Sequence, residues 1–242
     1  MPGGPAKNAR SKMVVVPTCD RDAAFKDLCI EGIRKFWPEV PVFEFHDARR
    51  DTETDVPDDI RALCRTTPHL RKQIDLPFLF DGIDDLYIVD CDCFFFARPD
   101  EFIQSYSYQG HTLRGHPDYP WGLEVWAHLG YRPEIVRPLF CDGLFSAPRT
   151  MWLYNRWLMF DYLRACVQRG YHDKTWHYSA VTLDQSMVSG LWRLACPDNP
   201  LPALEYPLGI PTVPMKVFHA CYFKRKPEFP LFLEDYKRHL SQ

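Results

Sequence analysis

The sequence has no strong excess of either charge, no long apolar run and no CxxC pair of cysteines. Its net charge is −3 over 242 residues, which argues against a nucleic-acid backbone as the main partner. No apolar run reaches the roughly 18 residues of a transmembrane helix, so we expect no transmembrane segment. The basic start, MPGGPAKNARSK, has no apolar region behind it and does not resemble a secretory signal.

The nine cysteines include no CxxC pair, and their spacing does not fit a zinc site. They are odd in number and stand mostly in apolar surroundings, which predicts reduced, buried thiols in a reducing compartment. Together with the missing membrane anchor, this favours a cytoplasmic location. Internal repeats and low-complexity blocks are also missing. We therefore expect a flexible N-terminal arm over 1–12 and one domain over 13–242.

Apolar and aromatic residues are plentiful, at 46% and 15%, and this is enough for a substantial core. In the first half, short apolar strands alternate with helical patterns, and the order strand, helix, strand, helix, strand indicates an α/β sheet with parallel pairing. The predicted strands are 14–16, 42–45 and 86–89, and the predicted helices are 22–37 and 57–82, the latter broken near Pro68 and Pro77.

The second half is less regular. Residues 105–138 are rich in Tyr, Trp, His, Gly and Pro without a clear period, which is typical of loops and pockets. We expect a long helix over 150–169 that ends at Gly170. The remaining predictions are strands at 139–147, 192–195 and 213–219, a short helix at 183–191 and a final helix from about 231.

Two aspartates interrupt the apolar stretch LYIVDCDCFFFARPDEF at 86–102. Burying a carboxylate is costly unless a positive group meets it. Because the residues on both sides are apolar, we do not expect a turn, and on one strand Asp90 and Asp92 would point to the same side. At the carboxyl end of a parallel strand they would reach the crevice where α/β folds bind ligands. Mg²⁺ or Mn²⁺ would neutralise such a pair and also bind phosphate oxygens, so we predict a metal site for a phosphorylated substrate.

The stretch LPFLFDGIDDLYIVDCD at 76–92 resembles the D-x-D region of nucleotide-sugar glycosyltransferases of the GT-A fold, in particular the glycogenin-like and galactosyltransferase-like enzymes. In that family a leucine-rich helix leads through an acidic turn into an apolar strand that ends in D-x-D. Further similar segments follow in the family's order, and the resemblance covers about residues 13–227. These segments are RPDEF at 98–102, FCDGLF at 140–145, LDQS at 183–186 and VFH at 217–219.

The resemblance implies a single GT-A domain, Rossmann-like, with a central, mostly parallel mixed sheet flanked by helices. The nucleotide-binding half would span about 13–105 and the acceptor-binding half about 106–242. The implied activity is metal-dependent transfer of a sugar from a nucleoside-diphosphate sugar to a hydroxyl of a glycan or related acceptor. A UDP-sugar is the favoured donor, a GDP-sugar is the alternative, and the cofactor would be Mn²⁺ or Mg²⁺.

The resemblance also assigns roles to residues. Metal ligands would be Asp90, Asp92 and His219, although His219 also fits a core histidine with one hydrogen bond. Asp20 would contact the nucleotide, although it also fits a cap of the next helix. Arg71 and Lys72 would bind the donor, although two adjacent basic residues are usually solvated. The full set of implied donor-binding residues is Pro17, Thr18, Cys19, Asp20, Arg71, Lys72, Asp90, Cys91, Asp92, Tyr222, Lys224 and Arg225.

The implied catalytic residues are Asp142, Asp184 and Gln185. Asp142 would accept hydrogen bonds from sugar hydroxyls. Asp184 would lie beside the anomeric carbon, although an N-cap of a helix also explains Asp184. After His219 the family has a glycine and then a lysine, whereas this chain has Tyr222 and the run Lys224-Arg225-Lys226, so the cation that would contact the diphosphate stays open among the three.

Two other functions compete with this one. Phosphatases with an aspartate nucleophile also place D-x-D after an apolar strand, but they need a small residue where Phe94 stands, and their motif usually follows the first strand. A non-catalytic protein that only binds sugar nucleotides is the other alternative, and the intact D-x-D argues against it.

Overall fold

The computed structural model describes residues 11–18, 23–46, 56–67, 70–80, 82–104, 110–112, 120–132, 140–170, 187, 190–191, 201–202, 204–221 and 223–242. These residues form a mixed α/β fold in which helices flank a five-stranded sheet, and a second sheet has two strands. The strands are β1 Lys12–Thr18, β2 Val42–His46, β3 Asp85–Val89, β4 Cys93–Phe95, β5 Gly110–Thr112, β6 Phe140–Pro148 and β7 Val217–His219.

The helices flank the large sheet. They are α1 Ala23–Phe36, α2 Asp58–Thr66, α3 Arg71–Ile74, α4 Leu76–Leu79, α5 Asp100–Gln104, α6 Pro120–His128, α7 Arg149–Gln168 and α8 Phe229–Ser241, with a 3₁₀ turn at Phe223–Arg225. Among the residues described here, no helix is both long enough and apolar enough to cross a membrane.

The large sheet has the strand order β2-β1-β3-β6-β5. β1 pairs in parallel with both β2 and β3, as the alternation of strands and helices predicts. β6 is antiparallel to both β3 and β5, so the sheet is mixed. β3 lies in the centre and all five of its residues are buried, which explains why its sequence contains almost no polar residue.

Several predicted elements are confirmed. α1 and β2 match their predictions closely, and the region 57–82 is divided into α2, α3 and α4. α7 ends before Gly170, whose φ of +77° is a backbone conformation that glycine adopts without strain. The six cysteines whose side chains the structure describes are free thiols, and five of them are buried, in agreement with the prediction.

Two predictions for the second half need correction. Residues 105–138 are not only loops, because they include β5 and α6, and Trp126 of α6 is fully buried in the core. The last strand begins at Val217 instead of Val213, since Pro211 and Pro214 have no N–H to donate to a sheet. The predicted strand at 192–195 lies outside the described residues, as does most of the predicted helix at 183–191.

Hydrophobic residues cover both faces of the large sheet. One cluster joins β1 and β3 to α2, α6 and α7, and the opposite cluster packs α1 and the residues around Phe102 on the same strands. A third, mainly aromatic cluster lies between β4, β7 and α8. The two-stranded sheet therefore sits beside the carboxyl end of β3 with an aromatic layer behind it.

Candidate metal and nucleotide site

The two aspartates of the D-x-D motif lie in a turn, and the expectation of one strand through both is wrong. β3 ends at Val89, and the N–H of Cys93 donates to the carbonyl of Asp90 across 3.0 Å. β4 then starts at Cys93 in the other sheet. The apolar residues on the two sides of the motif belong to two different sheets, so their character does not require a continuous strand.

The carboxylate of Asp92 is buried and makes contact with two basic side chains. Its Oδ1 lies 3.1 Å from Nε2 of His219, and Nζ of Lys224 donates to its Oδ2 across 2.7 Å. Only about 6% of the Asp92 side chain is exposed. Burial alone would favour the protonated acid, but His219 and then Lys224 outweigh it and hold the pKa of Asp92 well below its ordinary value. Asp92 is therefore a buried anion in this structure.

Backbone hydrogen bonds place His219 against this turn. His219 stands directly opposite Cys93 in the antiparallel β4–β7 pair. Its N–H donates to the carbonyl of Pro207 at 3.1 Å, and its own carbonyl accepts from Gly209 at 2.9 Å. The N–H of Ala220 donates to the carbonyl of Asp92 at 2.9 Å. These bonds fix the backbone of His219 beside the turn. Its buried imidazole contacts Asp92, which fits both a metal ligand and a core histidine with one hydrogen bond.

Gly143 of β6 leaves the space that the imidazole fills. A Cβ atom at this position would lie 2.1 Å from Cε1 of His219. The carbonyl of Gly143 accepts the N–H of Asp90 at 2.7 Å and the thiol of Cys93 at 3.4 Å. The Asp-Gly motif therefore meets the D-x-D turn through its glycine. Asp142 belongs to β6, but its side chain lies outside the described part of the chain.

Asp90 also meets a lysine. Nζ of Lys72 lies 3.4 Å from its Oδ1, and the Lys72 side chain is only 8% exposed. The neighbouring Arg71 is buried too, and its Nε donates to Oδ2 of Asp75 across 2.7 Å. The solvated alternative for Arg71 and Lys72 is therefore wrong. In this structure each acid of the motif is compensated by its own lysine.

A metal could be held by a set that differs from the predicted one. The ligand atoms of Asp92, Cys93 and His219 all lie within 4.8 Å of one another, and all three residues are buried. Two of the three predicted ligands therefore come together. The third, Asp90, is not in this group, because its carboxylate lies against Lys72. Sequence reasoning missed Cys93, since the position of this thiol opposite His219 depends on strand register.

The other predicted donor-binding residues have mixed outcomes. Pro17 and Thr18 lie at the carboxyl end of β1, where the hydroxyl of Thr18 donates to the carbonyl of Phe45 at 3.4 Å. Cys91 is buried in the D-x-D turn, and Arg225 is exposed in the 3₁₀ turn beside Lys224. Outside the described residues lie Cys19, Asp20, Asp184, Gln185 and Tyr222.

Cys29 of α1 supports the D-x-D turn and was not predicted. Its thiol donates to the carbonyl of Asp90 across 3.7 Å. Burial, and then the charges of Asp92 and Asp90, raise the pKa of this thiol well above its ordinary value. Cys29 is therefore a neutral hydrogen-bond donor to the turn.

Comparison with known proteins adds no assignment to this geometry. No protein-family profile matches the chain, and no curated protein sequence matches it significantly.

Proposed function

We propose that this chain is a GT-A glycosyltransferase that moves a sugar from a nucleoside-diphosphate sugar, preferably a UDP-sugar, to a hydroxyl of a glycan or related acceptor. The observation that carries the proposal is the meeting of three separate segments of the chain at one buried site. These segments are the D-x-D turn, Gly143, and the stretch from His219 to Lys224. Lys224 follows Asp92 by 132 residues and still donates a hydrogen bond to it.

The charges at this site suit a diphosphate. As the bond between the sugar and the phosphate breaks, negative charge gathers on the departing nucleoside diphosphate, and fixed positive groups stabilise it. Lys72 and Lys224 are held at the turn by Asp90 and Asp92, so both ammonium groups are close to where a diphosphate would meet the motif. A divalent ion held by Asp92 and His219 would add Lewis-acid stabilisation of the leaving group.

The position of the site in the sheet also supports the proposal. Thr18 is the last residue of β1, and Asp90 directly follows β3. Both therefore lie at the carboxyl ends of neighbouring parallel strands. In α/β sheets this edge is where ligands bind. We assign the base and ribose to the residues after β1, and the sugar and acceptor to Asp142, Asp184 and Gln185. Asp142 is the neighbour of the glycine on which His219 packs.

Calorimetric titration tests the nucleotide part of the proposal. We expect UDP to bind in the presence of a divalent ion, with Mn²⁺, Mg²⁺ and Zn²⁺ titrated separately, and to bind much more weakly without one, with GDP as the comparison nucleotide. Asp92→Asn should remove the metal dependence, because it removes a buried anionic ligand. The matched control is Asp100→Asn, which makes the same change at a carboxylate that is 49% exposed. Metal-independent binding in the unsubstituted protein, or an unchanged titration in Asp92→Asn, would contradict the proposal.

A panel of nucleotide sugars tests the transferase part. We expect metal-dependent release of nucleoside diphosphate from one donor, faster when a suitable hydroxyl acceptor is added, and loss of this release in Asp92→Asn. If nucleotides bind but no donor is ever consumed, the chain is a sugar-nucleotide-binding protein and the enzymatic proposal fails.

A further inference from the structure

We propose that Asp92, Cys93 and His219 bind a divalent ion of the Zn²⁺ class, with the sulfur of Cys93 as a direct ligand. This inference rests on the proposed function, because it names the ion of the same site. It replaces the expected oxygen-rich Mn²⁺ set, in which Asp90 was a ligand, by a set of one oxygen, one nitrogen and one sulfur.

The geometry brings the three donors to one place. Cys93 and His219 are direct partners in the β4–β7 pair, and side chains of such partners lie on the same face of the sheet. Asp92 precedes Cys93 in the turn, and its Oδ1 is 3.1 Å from Nε2 of His219. The three ligand atoms lie within 4.8 Å of one another. Zn–N and Zn–S bonds of about 2.0 and 2.3 Å separate tetrahedral ligand atoms by about 3.5 Å, so small side-chain movements would close the site.

The three residues are shielded from solvent. Cys93 is 0% exposed, His219 is 3% and Asp92 is 5% exposed. Lys224 bonds to Oδ2 of Asp92 and leaves Oδ1 directed at His219, so it can stay in place as an outer partner when Oδ1 binds an ion. When an ion binds, the Cys93 thiol and the ring nitrogen of His219 that takes the ion each give their proton to solvent, and the carbonyl of Gly143 loses the hydrogen bond that this thiol donates.

The donor set selects the class of ion. Thiolate and imidazole ligands favour Zn²⁺ and Co²⁺, whereas Mg²⁺ and Mn²⁺ favour carboxylate, carbonyl and water oxygens. An all-oxygen and imidazole set would need Asp90, which faces Lys72 at 3.4 Å. The two negative ligands would offset the charge of the ion, while Lys224 stays at Oδ2 of Asp92 and Lys72 stays beside Asp90.

Cobalt spectroscopy on the full chain tests this inference. We expect one Co²⁺ ion per chain, with the near-ultraviolet charge-transfer absorption of a sulfur–cobalt bond. Stoichiometric Zn²⁺ should remove the absorption, and excess Mg²⁺ should not. Cys93→Ser should abolish the absorption and weaken Co²⁺ binding by more than about 100-fold, since losing a direct ligand exceeds the effect of losing an outer one. Cys64→Ser is the matched control, a buried thiol on α2 outside the group of three ligands, and should keep the absorption.

Two results would overturn the inference: Co²⁺ binding without sulfur absorption, or an absorption that persists in folded Cys93→Ser. Should that variant not fold, X-ray absorption of the unsubstituted protein with one equivalent of Zn²⁺ decides the question. One sulfur at about 2.3 Å supports the site, and a shell without sulfur excludes it. The nucleotide titration tests the glycosyltransferase proposal separately. Cobalt–sulfur absorption without any nucleotide binding would support the metal site and contradict the glycosyltransferase proposal.

Discussion

At the scale of single residues, the central feature is a buried anion with a basic partner for each oxygen. A carboxylate in an apolar interior is stable only when paired and hydrogen-bonded. His219 and Lys224 supply this to Asp92, and Lys72 supplies it to the more exposed Asp90. The D-x-D motif in this structure is therefore compensated by side chains of the protein itself, and any ion that binds Asp92 joins an existing network.

Gly143→Ala tests how closely β6 approaches His219. The added methyl group would lie 2.1 Å from Cε1 of the imidazole, so the ring must move away from Asp92. We expect a loss of about 1–3 kcal/mol in the free energy of unfolding, the usual cost of overpacking, together with a loss of metal binding. Denaturant titration and metal titration measure the two effects.

The double variant Gly143→Ala, His219→Ala is the control for that prediction. Removing the ring restores the space for the methyl group, so the alanine at 143 should cost much less in the His219→Ala background. Metal binding should stay absent in both variants. An equal cost in both backgrounds would show that the ring is not the group that the methyl displaces.

At the scale of elements, the last helix holds the strand that follows the D-x-D turn. The hydroxyl of Tyr236 in α8 accepts the N–H of Phe95 in β4 at 3.0 Å. This approach depends on Gly32 of α1, where a Cβ would lie within 2.2 Å of the same hydroxyl. Rings of Phe94 and Phe232 pack around Tyr236. A helix at the end of the chain thus positions a strand that starts beside Asp92.

Tyr236→Phe tests this contact with minimal change in shape. It leaves the buried N–H of Phe95 without its acceptor, which costs about 1–3 kcal/mol in the free energy of unfolding. Tyr154→Phe makes the same chemical change at a side chain on α7 that is 85% exposed, and should leave stability unchanged. Denaturant unfolding of both variants measures the difference, and equal stabilities would contradict the role of Tyr236.

At the scale of the whole molecule, a polar network joins the first half of the chain to the segment before His219. Nζ of Lys216 donates to Oε1 of Glu101 at 2.5 Å, and the hydroxyl of Tyr206 donates to Oε2 at 2.7 Å. Lys216 also contacts Glu205 at 2.7 Å. These bonds link α5 with a segment more than a hundred residues later, and so help to fix where β7 begins.

Glu101→Gln should remove a pH-dependent part of the stability. Burial alone would raise the pKa of Glu101, but the bonds from Lys216 and Tyr206 outweigh it and lower the pKa in the folded protein. A lowered pKa stabilises the fold above the unfolded value, about 4.3, and this contribution disappears as the pH falls through the folded value. We expect a deficit below about 1 kcal/mol at pH 7, because the side chain is one-third exposed.

The measurement is denaturant unfolding of the protein and its variant at pH 7 and at pH 3. The stability difference between them should shrink at the lower pH, because the glutamate of the unfolded chain is protonated there and the lowered pKa of the folded state no longer contributes in full. Glu234→Gln, at an exposed position of α8, is the control and should show no such change. A deficit that is the same at both pH values would mean that the charge of Glu101 is not involved.

The first half of the fold could be predicted well because its signals are local. Val14–Val16 is a short β-branched run that stops at Pro17, and Leu86–Val89 is an apolar run between two aspartates. The helical spacing of 22–37 needs no distant partner. The break at the D-x-D motif could not be predicted, since an apolar run that continues in a second sheet has the same composition as one long strand. α6 was missed because its aromatic residues and glycine give no clear period.

The sequence by itself determined the parallel α/β order and the acidic motif at the end of an interior strand, because these follow from short-range patterns and chain order. His219 was singled out only by the resemblance to the glycosyltransferase family. Only the tertiary structure decided which groups face one another there. It placed Cys93, not Asp90, with Asp92 and His219. It also paired Lys72 with Asp90 and Lys224 with Asp92. Such choices depend on strand register and on where a chain turns between sheets, and neither is encoded within a few neighbouring residues.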